Sequence, residues 1–200
     1  DSILSELIPR GYKAEQFARH GRGGGVAILF RQELSARQPD RMCFESFEHL
    51  DIVFQTTPPL HLVTIYRPPN AALNRFMAEI EQLFDTVIMC GGELIITGDF
   101  NIHVNESTGQ AKQFNELIAS YALEQLVCGP THKAGHTLDL VLVRASSSRR
   151  PYVSVLNKCL SDHSLVLCDL RLGRPMKQMR RVTYRKIKDI NRHQFTRDIC

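Results

Sequence analysis

Short apolar runs alternate along this chain with longer stretches of helical period. The segments Gly24–Phe30, Asp51–Thr57, His61–Tyr66, Glu93–Gly98, Leu138–Val143, Tyr152–Leu156 and Leu165–Leu170 are short, rich in β-branched residues and bounded by turn formers, which predicts strands. In Ala71–Cys90 the residues Leu73, Phe76, Met77, Ile80, Leu83, Phe84 and Val87 recur at the spacing of one buried helical face. Gly91-Gly92 then stops that helix. Gln110–Tyr121 repeats the pattern with Phe114, Leu117, Ile118 and Tyr121. Strands outnumber helices, so the pattern predicts a layered α/β fold. Asp51–Thr57 and His61–Tyr66 close around a Pro-Pro-Leu turn, which argues for antiparallel pairing between them.

Composition narrows the class. The chain has 200 residues, 43% of them hydrophobic, enough for a sizeable core in one large domain. A net charge of +4 permits a polyanionic partner without requiring one. The six cysteines are scattered, with no CxxC and no His-rich neighbourhood at zinc spacing. They read as reduced thiols of an intracellular protein, and no structural zinc site is expected. In that setting the glycosylation-like triplet Asn105-Glu106-Ser107 carries no weight. There is no signal-peptide pattern and no apolar run of bilayer length. The chain opens on DSILSEL without an initiator Met and reads as a piece of something longer. Residues 1–173 form the predicted domain. Beyond them Arg174–Lys188 is basic without a continuous apolar face, so 174–200 reads as a linker or arm leading to a further domain.

Candidate chemistry gathers where strands end, because rigid strands hold loop residues in place. The stretch GELIITGDFN delivers Asp99 and Asn101, two positions apart on an extended segment, with Phe100 pointing the other way into the core. An Asx turn and a cleft-facing pair both fit this tetrapeptide. Asp139 lies inside the apolar run HTLDLVLV, where a carboxylate is desolvated at a cost of several kcal/mol unless a partner compensates. An outward-facing acid on a half-exposed strand fits equally. In SDHSLV, Asp162 and His163 stand side by side before a strand and suit a metal ligand beside a phosphate-binding or proton-handling imidazole. Asp139 is a suitable carboxylate to orient and charge-stabilise His163. In YRPPN, Tyr66, Arg67 and Asn70 flank a Pro-stiffened turn and offer donors to a phosphate, or simply cap the turn.

Other motifs carry less. Gly21–Gly25 lacks the Gly-Lys-Ser/Thr of a phosphate loop and reads as a hairpin tip. No G-x-S-x-G is present, which removes a serine hydrolase of the nucleophile-elbow type. His20, His49, His61 and His132 read as ordinary surface or core histidines.

Taken in order, YRPPN, GDFN, HTLDLVLV and SDHSLV resemble the endonuclease/exonuclease/phosphatase superfamily, most closely its apurinic-endonuclease-like branch of LINE-type (non-LTR) retrotransposons. The resemblance spans Gly11–Leu172. It implies a four-layer sandwich, two face-to-face β-sheets flanked by helices, and hydrolysis of a DNA phosphodiester assisted by Mg²⁺ (or Mn²⁺). The nick would leave a 3′-hydroxyl that primes reverse transcription, so DNA and a C-terminal reverse transcriptase domain are the implied partners, with action in the nucleus. By the same resemblance Asp99 orients or deprotonates the attacking water and Asn101 positions it. His163 contacts the scissile phosphate, Asp139 fixes its tautomer, Tyr66 hydrogen-bonds the phosphate and Asp162 helps hold the metal. Arg67 and Asn70 are phosphate contacts, although the extra Pro puts Asn70 one residue beyond the family spacing. The family also supplies an Asn and a metal-binding Glu from strands upstream of the segment like Gly24–Phe30. Glu6 and Glu15 lie in the wrong setting for that Glu, so the first strands and the principal metal carboxylate are expected to be missing and Mg²⁺ to be held poorly. Two other readings stay open: a catalytically weak DNA-binding remnant, and a phosphatase or phosphodiesterase of the same superfamily.

Overall fold

Val63, Ile96 and Leu142 are Cα neighbours on three adjacent strands, and none of them is exposed at all. Those strands are β5 (Leu60–Tyr66), β6 (Glu93–Asp99) and β8 (Asp139–Arg144), at the centre of a six-stranded sheet. The sheet is completed by β3 (Ala36–Arg37), β4 (Glu48–Phe54) and β7 (Leu123–Gln125), in the order β3-β4-β5-β6-β8-β7. The computed structural model describes residues 8–17, 25–39, 42–156, 161–173 and 196–197. The basic stretch 174–195, and Gly21–Gly24 of the expected hairpin tip, lie outside the described residues, as do Glu6 and His20.

The central strands carry nearly continuous apolar runs because both faces of the sheet are covered. On one face lie α1 (Leu73–Ile88) and α2 (Gly109–Ser120), whose Phe76, Ile80, Phe84, Phe114 and Ile118 pack on Val63, Ile65, Ile96, Leu140 and Leu142. Each such side chain contributes about 1.5–3 kcal/mol on leaving water. The expected face of α1 is the one buried, except that Leu73 is only partly covered. Thr108 caps α2, its Oγ1 accepting from the Ala111 N–H at 3.2 Å.

The opposite face is covered by two antiparallel hairpins. The first joins β1 (Tyr12–Phe17) to β2 (Val26–Arg31), and Val26, Ile28 and Phe30 pack on Leu50, Ile52 and Phe54. The second joins β9 (Tyr152–Leu156) to β10 (Leu165–Asp169), and Val153, Val155 and Val166 pack on Ile95, Val141 and Val143. The fold is therefore the mixed α/β sandwich expected. Among the described residues it has three layers: helices, the large sheet, and a facing layer made of two separate hairpins rather than one sheet.

The expected β4–β5 hairpin is antiparallel, but β4 begins at Glu48 rather than Asp51. Strands β1, β3 and β7 were not expected. His49 and His61 are buried, the latter against the Asp51 carboxylate on β4.

Candidate active site

Strand register brings four polar residues into one row. Glu48 pairs with Tyr66, Tyr66 with Asp99, and Asp99 with Asp139, so the row crosses β4, β5, β6 and β8 at one end of the sheet. Residues paired in this way share a face. Here it is the face turned toward the two hairpins. Gly98 lets β6 reach that end: its φ is +139°, and a Cβ there would stand 1.9 Å from the Ile65 carbonyl oxygen. Only glycine fits the approach.

The GDFN segment is a turn and a site component at once. Asn101 adopts a left-handed conformation with φ of 48°. Its N–H donates to Asp99 Oδ1 at 3.0 Å, closing an Asx turn, and its Nδ2 donates to Asp99 Oδ2 at 3.1 Å and to the Arg67 carbonyl at 2.8 Å. Phe100 is fully buried between Phe76 and Phe114, the anchor expected of it. Burial raises the Asp99 pKa. The Asn101 N–H works against the rise, Asp139 adds to it and His163 opposes it.

Asp139 and His163 form the expected pair, with His163 Nδ1 2.8 Å from Asp139 Oδ2. Partial burial disfavours the imidazolium of His163. The hydrogen bond and charge of Asp139, with Asp99 and Asp162 nearby, outweigh it and hold the pKa above the ordinary histidine value. Thr131, fully buried, positions Asp139: its Oγ1 accepts from the N–H groups of both Leu138 and Asp139 at 3.0 Å.

Asp162 lies on the far side of His163, half exposed, with its carboxylate 3.6 Å from His132 Nε2. Its own backbone N–H leads the groups that lower its pKa, which include Lys133 and His132. His132 is thus no ordinary surface histidine. Its ring stands edge-on to His163 at 5.1 Å, and the two backbones form a β-bridge. Two clusters able to hold a cation meet at His163: Asp99–Asp139–His163 and His132–Asp162–His163.

Within the row Tyr66 is half buried, with its ring against the β1–β2 hairpin cluster. Arg67 departs from expectation. It is 5% exposed, and its guanidinium donates to the carbonyls of Asn101 at 3.0 Å, Phe100 at 3.4 Å and Ala71, over the Phe76 ring. Desolvation lowers its pKa against the pull of Asp99. Arg67 ties the YRPPN turn to the GDFN turn instead of reaching outward. Asn70 is exposed on the former turn.

Glu48, Thr131 and His132 escaped the sequence reading. Glu48 is buried, extends the row by one strand and accepts from the Gly25 N–H. A signal for it exists only in strand register, which no local pattern reveals.

Residues 60–167, more than half of the chain, match the family model described as endonuclease-reverse transcriptase. The chain belongs to that family. It is 28% identical over 160 residues to the RNA-directed DNA polymerase from mobile element jockey of Drosophila funebris, a match that takes in 74% of this chain and 17% of that protein. The endonuclease domain of TRAS1, a telomere-specific non-LTR retrotransposon, superposes with a TM-score of 0.69 at 19% identity, over 82% of this chain and 81% of that one. An endonuclease/exonuclease/phosphatase family protein from Leptotrichia buccalis gives 0.62 at 16% identity, over 84% and 75%. At these identities the two structures show the fold alone. Among the described residues no helix is long and apolar enough to cross a membrane.

Proposed function

We propose that this chain is a metal-dependent DNA endonuclease that hydrolyses one phosphodiester of a target strand, leaving a 3′-hydroxyl end. The observation that carries the reading is the row Tyr66–Asp99–Asp139 with His163 bonded to Asp139. Asp99 takes a proton from the attacking water, and the Asn101 carboxamide helps align it. A raised pKa suits Asp99 to this, since it makes the carboxylate a better base. His163, whose imidazolium Asp139 favours, donates to a non-bridging oxygen of the scissile phosphate and stabilises charge building there. Tyr66 offers its hydroxyl to the same phosphate.

The donor set fits a hard divalent cation. Asp99 and Asp139 supply carboxylate oxygens beside His163, Asp162 supplies another in a second group with His132 and His163, and Mg²⁺ needs only one or two carboxylates because it keeps several waters. When bound there, Mg²⁺ or Mn²⁺ would neutralise charge on the phosphate oxygens. The match to a polymerase of a mobile element supports a role in which the 3′-hydroxyl primes DNA synthesis, with a reverse transcriptase in the same polypeptide as partner. Incubation with supercoiled plasmid and Mg²⁺ tests the reading. Open circles should accumulate with the wild-type chain and not with Asp99→Ala. Absence of nicking at every Mg²⁺ and Mn²⁺ concentration, with salt-sensitive DNA binding retained, would instead favour a binding remnant.

A further inference from the structure

His103, Glu106 and His136 come together outside the catalytic row. His103 Nδ1 is 3.0 Å and His136 Nδ1 2.8 Å from the same oxygen, Glu106 Oε1. The two imidazoles stack with centroids 3.8 Å apart and planes within 9°. Glu106 and His136 are half-buried and His103 is more exposed, and their ligand atoms lie within 4.8 Å of one another. The sequence hides this group, because His136 is thirty-odd residues from the other two.

We propose that these residues form a second cation site, of zinc type, that clamps the loop after β6 to the turn before β8. The donors are two imidazole nitrogens and one carboxylate oxygen. That set suits Zn²⁺ and other borderline ions, whereas Mg²⁺ prefers oxygen alone. Metal–ligand bonds of Zn²⁺ put neighbouring tetrahedral ligands about 3.3 Å apart. The observed 2.8 and 3.0 Å lie a few tenths of an ångström short of that spacing, and the stacked rings must turn out of parallel for both Nδ1 lone pairs to meet one ion. Three protein ligands leave a fourth position, and side-chain exposures of 44%, 35% and 30% keep it accessible to water.

The backbone holds the three residues ready. The Glu106 N–H donates to the His103 carbonyl at 3.0 Å, which closes the turn that brings this i, i+3 pair together. The His136 carbonyl accepts from Thr131 and His132 at 2.9 and 3.0 Å. Asn105 bridges the two loops directly, donating to the Gly135 carbonyl at 3.1 Å and accepting from the Thr137 N–H at 3.0 Å. One loop carries Asn101 and the other leads into Asp139. An ion bound here fixes the distance between the two arms of the active site without touching the phosphate.

Titration of the metal-free chain with Co²⁺ tests the site, because tetrahedral Co²⁺ absorbs visibly and Zn²⁺ displaces it. With Mg²⁺ in excess to occupy the active-site carboxylates, one equivalent of tetrahedral Co²⁺ should bind. His103→Gln and His136→Ala should each weaken binding by about a hundredfold or more, since loss of a mere supporting partner already costs about 10–100-fold. His132→Ala and Asp99→Ala should leave it unchanged. Circular dichroism of His103→Gln, a half-exposed position, checks that the fold persists, and Zn²⁺ should raise the melting temperature of the wild type alone. Absence of saturable uptake, uptake that survives both substitutions, or uptake abolished by His132→Ala overturns the proposal.

Discussion

Asp99 and Asp139 face one another as Cα partners on β6 and β8, and Asp139 is bonded to His163 at 2.8 Å while Asp99 is held by Asn101. Two carboxylates side by side thus have different partners.

The pH profile follows. Asp99 acts when ionised and its pKa is raised, so cleavage should increase as pH climbs through a value above the ordinary aspartate range. His163 acts when protonated and its pKa is also raised, so cleavage should decline only as pH passes a value above that of ordinary histidine. In Asp139→Asn the hydrogen bond loses its charge, which should lower kcat by about 10²–10⁴-fold and move the descending limb to lower pH. A pH–rate profile of both proteins measures this.

Gly98→Ala should disrupt the site through the fold. The new Cβ meets the Ile65 backbone carbonyl, which has no rotamer by which to move. A loss of about 2 kcal/mol or more is expected in chemical denaturation.

Thr131→Val keeps the volume and removes the acceptor for two N–H groups. Leaving buried donors unmatched should cost about 1–3 kcal/mol and lower activity by letting Asp139 shift. Thr131→Ser should retain both properties.

Arg67 separates a structural role from a phosphate contact. Arg67→Lys cannot reproduce the fork on Asn101, Phe100 and Ala71, so stability should fall by about 1.5–3 kcal/mol. The slope of log affinity for DNA against log salt should stay the same. A phosphate contact would reduce that slope by about one.

Where the periodicity is strong, fold and sequence agree. The face of α1 and the strands around GELIITGD and LDLVLV were legible because apolar side chains there satisfy either the helical or the extended period. Strand β1, YKAEQF, is half polar and was invisible, since its pairing with β2 supplies what its own side chains do not. The start of β4 at Glu48 was hidden because Glu and His there are buried by neighbours distant in sequence. The pairing of Asp139 with His163 could be anticipated from chemistry, as a buried carboxylate needs a partner. Arg67 could not: after a strand, an arginine reads as solvent-facing, and only the fold brings carbonyls from more than thirty residues away over its guanidinium. For the same reason the row was legible in its parts and not in its register.

The central claim is that Asp99, Asp139 and His163 work together on a DNA phosphodiester. Single-turnover nicking of supercoiled plasmid in Mg²⁺, with the ends then tested for extension by a DNA polymerase, examines it most directly. The wild-type chain should leave an extendable 3′-hydroxyl, and the rate should fall by about 10²-fold or more in Asp99→Asn and in His163→Gln. Equal rates in these folded variants, or ends that a polymerase cannot extend, would contradict it.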